Sequence, residues 1–355
     1  QSSTVHKNID IIDSDSGSDS SRGSDSSSDS IRFSGIYRDT TMNNNSNTPN
    51  NSVISSLFSV SGKNVLITGG SRGIGFMIAK TFVQAGANVL LTSRSEQACK
   101  EATESIIQQV VVGRENHTPP TAPVSNIQYV ASNVSNREGC EELAQYTAKL
   151  FGNKLDVLIN NAGTSWGEPL ERDSGKRTNW GFDKVLDLNI KGIFYLTRAC
   201  IPMLENAASS SSKKNDGDND SNTNNSNNPS RIINVGSIVG MIPQAAPTHA
   251  YDVSKAAVHQ LTKKLAADLA SKNITVNALA PGFVATRMSR GLASWGATQD
   301  VMEKTIPLGR MGNEDDMAGA CIYLCSKAGS YLTGVILNVD GGSIGAIQID
   351  LGSNL

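Results

Sequence analysis

Seven short apolar runs recur along the chain from about residue 60 onward. They are rich in Val, Ile and Leu and are bounded by turn residues: NVLIT, NVLLT, IQYVA, DVLINNAG, RIINVGS, ITVNALAPG and VILNVD. Continuous apolar runs of this kind are typical of parallel strands that are covered on both faces. The pattern therefore predicts seven strands of one sheet.

Helical patterns separate these runs, and the clearest of them covers residues 254 to 270. There Val258, Leu261, Leu265 and Leu269 fall on one stripe, while the charged side chains lie away from it. Strands that alternate with such helices indicate an α/β fold. We expect a single Rossmann-like, doubly wound parallel sheet with helices on both faces.

Two kinds of low-complexity sequence flank or interrupt this pattern. Residues 1 to 60, which include DSDSGSDSSRGSDSSSDS, contain too few apolar side chains to offset the entropy of ordering. We predict a disordered Ser/Asp/Asn-rich tail there, with phosphorylation or partner binding left open. A similar stretch at about 207–230 predicts a surface insertion. The remainder, 61–355, is predicted to be one domain.

Composition narrows the possible partners and the compartment. The net charge is -2, the pI is about 6.1, and the five cysteines and four histidines show no metal-ligand spacing. No apolar run approaches the roughly 18 to 20 residues that cross a bilayer. We expect no nucleic-acid or membrane partner, no metal, and a reduced cytoplasmic compartment. An organelle stays open because the first residue is Gln1 rather than Met.

A glycine-rich turn follows the first predicted strand in NVLITGGSRGIGFMIAKTF. Gly69, Gly73 and Gly75 have the spacing G-x-x-x-G-x-G, and Ser71 and Ile74 lie between them. Glycines let the backbone approach a pyrophosphate closely, and the start of the next helix offers free N–H groups. The stretch predicts a dinucleotide site.

The second predicted strand favours NADP(H) over NAD(H). It ends in Ser93 and Arg94 without a carboxylate, and Arg72 lies inside the glycine turn. A carboxylate at this place would hold the ribose hydroxyls, whereas an arginine accommodates a 2′-phosphate. The alternative is that both arginines are merely solvated.

Tyr251 and Lys255 are four residues apart at the start of the clearest helix, so their side chains share one face. A neighbouring positive charge would lower the pKa of the phenol from about 10 and make it a proton donor. The alternative is that Tyr251 covers a core edge and Lys255 is solvated.

These motifs occur in an order that resembles the short-chain dehydrogenase/reductase family. The signatures are TGGSRGIG, NNAG, the Asn in LDLNIKG, the Ser in NVGSIVG, YDVSK, APGFVATRM and NVDGG, from residue 61 to about 345. More narrowly, NNAGTSWG, IPLGRMG and YLTG resemble the branch of 3-oxoacyl-[acyl-carrier-protein] reductases of the rhamnolipid pathway.

The resemblance implies a role for each residue of a reactive set. Tyr251 would be the general acid, and Lys255 would hold the nicotinamide ribose. Ser237 would hydrogen-bond the carbonyl and the developing oxyanion. Asn189 would anchor a water that reconnects Lys255 to solvent. The alternatives are that Ser237 only caps a turn and that Asn189 is an outward-facing polar residue.

The resemblance also places residues around the cofactor. Asn161 and Gly163 would pass close to the adenosine, and Val284 and Thr286 would bind the nicotinamide amide. The family usually has Asp followed by Val here, whereas this chain has Asn133 followed by Val134. An amide can still donate to and accept from an adenine edge, so we expect tolerance with weaker cofactor binding.

Substrate walls are expected from Thr164, Ser165, Trp166, His249 and the segment 287–302. Met288 and Trp295 in that segment suggest an apolar pocket, or else a subunit interface. His249 is interpreted as a packed aromatic rather than a second acid. The resemblance implies a homotetramer or homodimer.

Three hypotheses follow. The first is NADPH-dependent reduction of a ketone, above all a 3-oxoacyl thioester, with acyl carrier protein as a partner. The second is an NADP-dependent dehydrogenase or carbonyl reductase for another secondary alcohol or ketone. The third is a non-catalytic NADP-binding sensor, which the intact Tyr251 and Lys255 disfavour.

Overall fold

The seven predicted strands form a single sheet in the computed structural model. The structure describes residues 50–115, 126–168, 170, 180–210 and 228–346. The strands are β1 (Asn64–Thr68), β2 (Asn88–Ser93), β3 (Ile127–Ala131), β4 (Val157–Asn160), β5 (Ser230–Val235), β6 (Ile274–Pro281) and β7 (Ile336–Val339). Every pair of neighbours is parallel, in the order β3-β2-β1-β4-β5-β6-β7. The predicted doubly wound fold is confirmed.

Ten α-helices surround the sheet in the described part of the chain. They are α1 (Asn50–Phe58), α2 (Gly73–Gln84), α3 (Glu96–Glu115), α4 (Arg137–Leu150), α5 (Trp180–Leu186), α6 (Gly192–Ser210), α7 (His249–Leu269), α8 (Arg287–Gly291), α9 (Gln299–Lys304) and α10 (Glu314–Cys325). None of the described helices is both long and apolar enough to cross a membrane.

The apolar runs are continuous because successive strand residues enter two different cores. Val65 and Ile67 of β1 pack on one face with side chains of α2, α3 and α10. Leu66, between them, packs on the other face with side chains of α4, α6 and α7. Alternation of side chains along a strand puts neighbours on opposite faces, so both must be apolar when both faces are covered.

The boundary of the predicted N-terminal tail differs from the structure. Residues 1–49 lie outside the described residues, but α1 occupies most of the last ten residues of the predicted tail. The helix is held by an aromatic contact in which the ring of Phe58 lies 6.4 Å from that of Tyr323. Val53 and Ile54 stay exposed, so α1 meets α10 through Phe58 at its C-terminal end.

The predicted surface insertion also starts later than expected. Helix α6 continues through residues 207 to 210, and Ala207 and Ala208 are buried. Strand β5 begins at Ser230, and residues 211–227 lie outside the described residues. The two alanines face the core, so they extend the helix rather than begin a loop.

Candidate active site

A cavity of about 720 Å³ opens at the carboxyl ends of the strands. Its walls include the segments that follow strands β1 to β6, together with the start of α7. The chain winds outward from β1 to β3 and then returns to place β4 beside β1. Ligands of open α/β sheets bind at such a reversal of strand order.

The reversal is held together by hydrogen bonds between Thr68 and Asn161. Thr68 Oγ1 accepts from the backbone N–H groups of Asn161, at 3.0 Å, and Ala162, at 2.9 Å. In return, Asn161 Nδ2 donates to the carbonyl oxygens of Thr68, at 2.9 Å, and Gly69, at 3.1 Å. The NNAG segment therefore fixes the shape of the glycine turn as well as lining the cavity.

Two of the three predicted glycines are required by this close approach. A Cβ on Gly75 would lie 2.3 Å from Asn161 Nδ2 and 2.4 Å from the Gly69 oxygen. Gly69 has a φ of 66°, in the left-handed region. Gly69, Ser71, Gly73 and Ile74 line the cavity, and Gly75 supports them from behind.

Helix α7 presents Tyr251 and Lys255 to the cavity, as the spacing predicts. Lys255 Nζ lies 5.5 Å from the centre of the Tyr251 ring and donates to the Val235 oxygen at 2.7 Å. Lys255 is 5% exposed, so the alternative of a solvated lysine is wrong. The predicted stripe of α7 is also confirmed, with Val258, Leu265 and Leu269 buried.

Burial, rather than the neighbouring ammonium, controls the ionisation of this pair. The pKa of Tyr251 is raised to about 12 by burial, against which the hydrogen bond to Ser237 acts to lower it. The prediction that Lys255 lowers this pKa is therefore wrong. Burial lowers the pKa of Lys255 itself to about 8. At neutral pH the phenol keeps its proton and the lysine is still mostly charged.

Ser237 follows β5 and lies at the same end of the cavity. Its Oγ is 3.5 Å from the Pro281 oxygen and accepts from the Val239 N–H at 3.4 Å, which caps the short 3₁₀ turn Ile238–Gly240. Both contacts are long. Ser237 caps the turn and also lines the cavity together with Tyr251.

Asn189 is buried in a π-helical turn, Asp187–Lys191, between α5 and α6. Its Oδ1 accepts from Thr164 N at 2.9 Å, and its Nδ2 donates to Thr164 O at 3.0 Å and to Ser254 Oγ at 2.9 Å. Ser254 Oγ in turn donates to the backbone carbonyl oxygen of Tyr251 at 2.7 Å. Asn189 therefore ties the segment after β4 to α7, and the alternative of an outward-facing residue is wrong.

The opposite end of the cavity contains the predicted phosphate-binding side chains. Arg72, Ser93 and Arg94 line it, and both arginines are exposed. Within the described part of the chain, neither guanidinium has an ion pair. Ser132 and Val134 line the cavity, but Asn133 does not, because its Oδ1 accepts from Ser135 Oγ at 2.8 Å.

The segment after β6 closes the cavity from a third side. Val284 is buried and forms an isolated bridge with Gly312. Thr286 accepts from Ser289 N at 3.3 Å as the N-cap of α8, and a Cβ on Gly73 would lie 3.6 Å from its methyl group. Both Val284 and Thr286 line the cavity. This segment therefore lies against the glycine turn.

The apolar wall near Tyr251 differs in part from the expected one. Gly163, Ser165 and Met288 line the cavity, whereas Thr164, Trp166 and His249 do not. Trp166 is 45% exposed and its Nε1 donates to Glu168 at 3.2 Å. His249 is exposed at the start of α7, so its interpretation as a packed aromatic is wrong. The side chain of Trp295 lies outside the described residues.

Several wall residues were missed in the sequence analysis. They are Leu188, Ile238, Val239, Ile242, Pro243, Gln244 and Phe283. The apolar letters of SIVGMIPQ, between a strand and the reactive helix, were the available signal for four of them.

Two family models together match nearly all of the region that contains the strands. The model described as short chain dehydrogenase matches residues 63–216, and the model described as enoyl-(acyl carrier protein) reductase matches residues 222–343. The chain belongs to the short-chain dehydrogenase family. This short-chain dehydrogenase is an oxidoreductase that acts on CH–OH or C=O groups with a nicotinamide cofactor.

Two curated relatives show how far the similarity extends. The rhamnolipids biosynthesis 3-oxoacyl-[acyl-carrier-protein] reductase of Pseudomonas aeruginosa is 35% identical over 285 residues, which cover 80% of this chain and 97% of the relative. The 3-oxoacyl-[acyl-carrier-protein] reductase FabG of Thermotoga maritima is 33% identical over 283 residues, covering 80% and 98%.

Solved structures of family members have the same fold. The RhlG/NADP active-site complex of Pseudomonas aeruginosa has a TM-score of 0.66 and 33% identity, covering 81% of this chain and 98% of that one. The 3-ketoacyl-(acyl-carrier-protein) reductase of Brucella melitensis, complexed with NADH, has a TM-score of 0.64 and 27% identity, covering 80% and 99%.

The cavity of this short-chain dehydrogenase fits a dinucleotide by its own geometry. The glycine turn has no Cβ atoms at Gly69 and Gly75, so a ligand can come close to its backbone N–H groups. Two arginines line the same cavity, and their charge suits a ligand that carries phosphate. Among the described residues, no group of three His, Cys, Asp or Glu could hold a metal ion.

Replacement of Gly75 tests the glycine turn. We expect Gly75→Ala to weaken binding of the dinucleotide by more than about tenfold, because the new Cβ displaces Asn161 or Gly69 and distorts the turn. Titration of the cofactor's fluorescence measures this. Gly319→Ala is the matched control, since nothing lies within 4 Å of a Cβ there. Equal binding by both variants would contradict the packing described.

Proposed function

We propose that this enzyme reduces the ketone of a 3-oxoacyl thioester with NADPH. The observation that carries the proposal is the convergence of Ser237, Tyr251 and Lys255 at one end of a cavity with apolar walls. A hydroxyl pair suits a carbonyl oxygen, and the walls suit a hydrocarbon chain. The similarity to 3-oxoacyl-[acyl-carrier-protein] reductases supports the choice of substrate.

Tyr251 is the proton donor in this proposal. Its raised pKa, about 12, keeps the hydroxyl protonated at neutral pH, which a general acid requires. When bound, the cofactor supplies a hydride to the carbonyl carbon. The electron pair of the C=O bond then moves to the oxygen, which takes the Tyr251 proton, and a secondary alcohol results.

Ser237 and Lys255 assist this transfer. Ser237 Oγ lines the cavity with Tyr251 and has only long hydrogen bonds within the protein, so it can donate to the carbonyl oxygen as negative charge develops there. Lys255, which is still mostly charged at neutral pH, would hold the nicotinamide ribose. Val235, which accepts from Nζ, fixes the lysine in this position.

Asn189 has two tasks in the proposal. Both Nδ2 hydrogens are used by Thr164 and Ser254, but Oδ1 accepts only one bond and keeps a second lone pair. That lone pair could hold the water through which Lys255 recovers a proton. The amide also positions Ser254, and through it the backbone of Tyr251.

The cofactor would be held from its adenosine end to its nicotinamide. Arg72 and Arg94 would bind the 2′-phosphate beside Ser93, while Asn161 and Gly163 approach the adenosine side. Val284 and Thr286 would bind the nicotinamide amide. Asn133 faces Ser135 instead of the cavity, so we expect Val134 and Ser132 to form the adenine wall.

Removal of the two arginines tests the choice of NADPH. We expect Arg72→Ala and Arg94→Ala each to raise the Kd of NADPH about tenfold, because a charge-assisted bond to phosphate is lost, with little effect on NADH. Calorimetry measures both constants. Arg198→Ala, on an exposed face of α6, is the control. Unchanged NADPH affinity in both variants would contradict the assignment.

The thioester carrier is the expected macromolecular partner. Acyl carrier protein is the carrier for the named relatives, and we propose it here over coenzyme A. We also propose a homo-oligomer, a tetramer or a dimer, as the family resemblance implies.

A direct assay tests the reaction. Loss of NADPH absorbance on addition of a short 3-oxoacyl thioester is expected with the wild-type enzyme, and Tyr251→Phe should lower kcat by about 10² to 10⁴ because the acid is gone. Tyr331→Phe, at a fully exposed tyrosine, is the control. Reduction of simple ketones but not thioesters would favour the second hypothesis. NADPH binding without any turnover would contradict an enzymatic role.

A further inference from the structure

His259 is a buried polar residue that the proposed reaction leaves without a role. It lies one helical turn after Lys255 on the same face of α7 and is 6% exposed. Its Nε2 has no hydrogen-bond partner among the described residues. Buried polar atoms nearly always have a partner in folded proteins. An apolar side chain would avoid this cost, so the imidazole calls for another explanation.

The imidazole fits closely against Gly236. A Cβ on Gly236 would lie 2.3 Å from His259 Nε2 and 2.8 Å from its Cδ2, while the next nearest atom, the Leu279 oxygen, is 3.4 Å away. Gly236 is not among the glycines with positive φ. It is therefore the contact with His259, and not the backbone conformation, that leaves no room for a side chain here.

Lys255 contacts the same short segment. Lys255 Nζ donates to the carbonyl oxygen of Val235, the residue just before Gly236. Two side chains from one face of α7 therefore contact the Val235–Gly236 peptide. Ser237 is the next residue along the chain, and Tyr251 lies on the same helix as the two contacting side chains.

The imidazole adds no positive charge to this end of the cavity. Burial, followed by the charges of Lys255 and Lys263, lowers the pKa of His259 to about 4. The ring is neutral at working pH. Its contribution at that pH is one of shape rather than of charge.

We propose that His259 is a positioning residue that holds Ser237 in register with Tyr251 by packing its ring edge against Gly236. The inference rests on the proposed function, because Ser237 and Tyr251 act there on one carbonyl oxygen. A side chain at 236 pushes β5 away from α7, and removal of the ring lets the segment before Ser237 move. Either change misplaces the serine hydroxyl.

A double-mutant cycle of Gly236→Ala and His259→Ala tests this contact. We expect Gly236→Ala to lower kcat by about ten- to a hundredfold, since a misplacement near 1 Å has that effect. His259→Ala alone should lower kcat by a smaller factor. In the double variant the new Cβ enters the space vacated by the ring, so kcat should rise above that of Gly236→Ala alone.

Unfolding midpoints of the same four proteins give a readout that does not depend on turnover. Gly236→Ala should destabilise the wild-type background more than the His259→Ala background, because contacting residues are coupled. Gln260→Ala, at an exposed neighbour on α7, is the control that should change neither kcat nor the midpoint. Gly319→Ala should leave kcat unchanged and raise the midpoint equally in both backgrounds, because alanine favours the interior of helix α10.

The outcomes separate this inference from the proposed function. Full kcat in Gly236→Ala, or a double variant with additive losses in kcat and midpoint, would overturn the positioning role even if the wild type reduces thioesters. If the unfolding midpoints of the four proteins are coupled but the wild-type protein reduces no ketone, the contact is supported and the proposed function is contradicted.

Discussion

Hydrogen bonds between Thr68 and Asn161 hold the point where the winding of the sheet reverses, and the rest of the site depends on them. Parallel strands β1 and β4 end side by side there, and these hydrogen bonds join the two segments that follow them. The side chain of each residue bonds the backbone of the other. Because Gly75 has no Cβ, Asn161 can lie against the glycine turn and fix its shape.

Burial at the start of α7 governs the chemistry that this frame supports. The helix packs on β6, and Tyr251 and Lys255 line the cavity from its first two turns. Ser254 Oγ donates to the backbone carbonyl oxygen of Tyr251, and Lys255 Nζ donates to that of Val235. Low polarity raises the pKa of the phenol to about 12 and lowers that of the ammonium to about 8, which moves the two values apart. The phenol therefore keeps its proton at neutral pH, as a general acid requires.

Strands and the reactive pair could be predicted because their signals are local. Each apolar run such as NVLIT spans one buried strand, and the spacing of Tyr251 and Lys255 follows from one helical turn. The π-helical turn at Asn189 has no such signal, since its amide is satisfied by Thr164 and Ser254 from distant parts of the chain.

Tertiary packing also explains the predictions that were wrong. Helix α1 ends at Phe58, whose ring contacts that of Tyr323, more than 200 residues away. The pKa of Tyr251 depends on burial by neighbours that spacing alone does not show. Asn133 bonds Ser135 in its own turn, so a motif position near the adenine does not ensure a side chain that faces it.

Hydride transfer from the nicotinamide to the ketone carbon is the step on which the proposed reaction depends. The most direct measurement is the mass of the product formed from a 3-oxoacyl thioester and NADPH deuterated at C4 of the nicotinamide. We expect one deuterium at the carbon of the new alcohol, from one of the two C4 positions only. An alcohol without deuterium from either labelled form, or no alcohol at all, would contradict the proposed reaction.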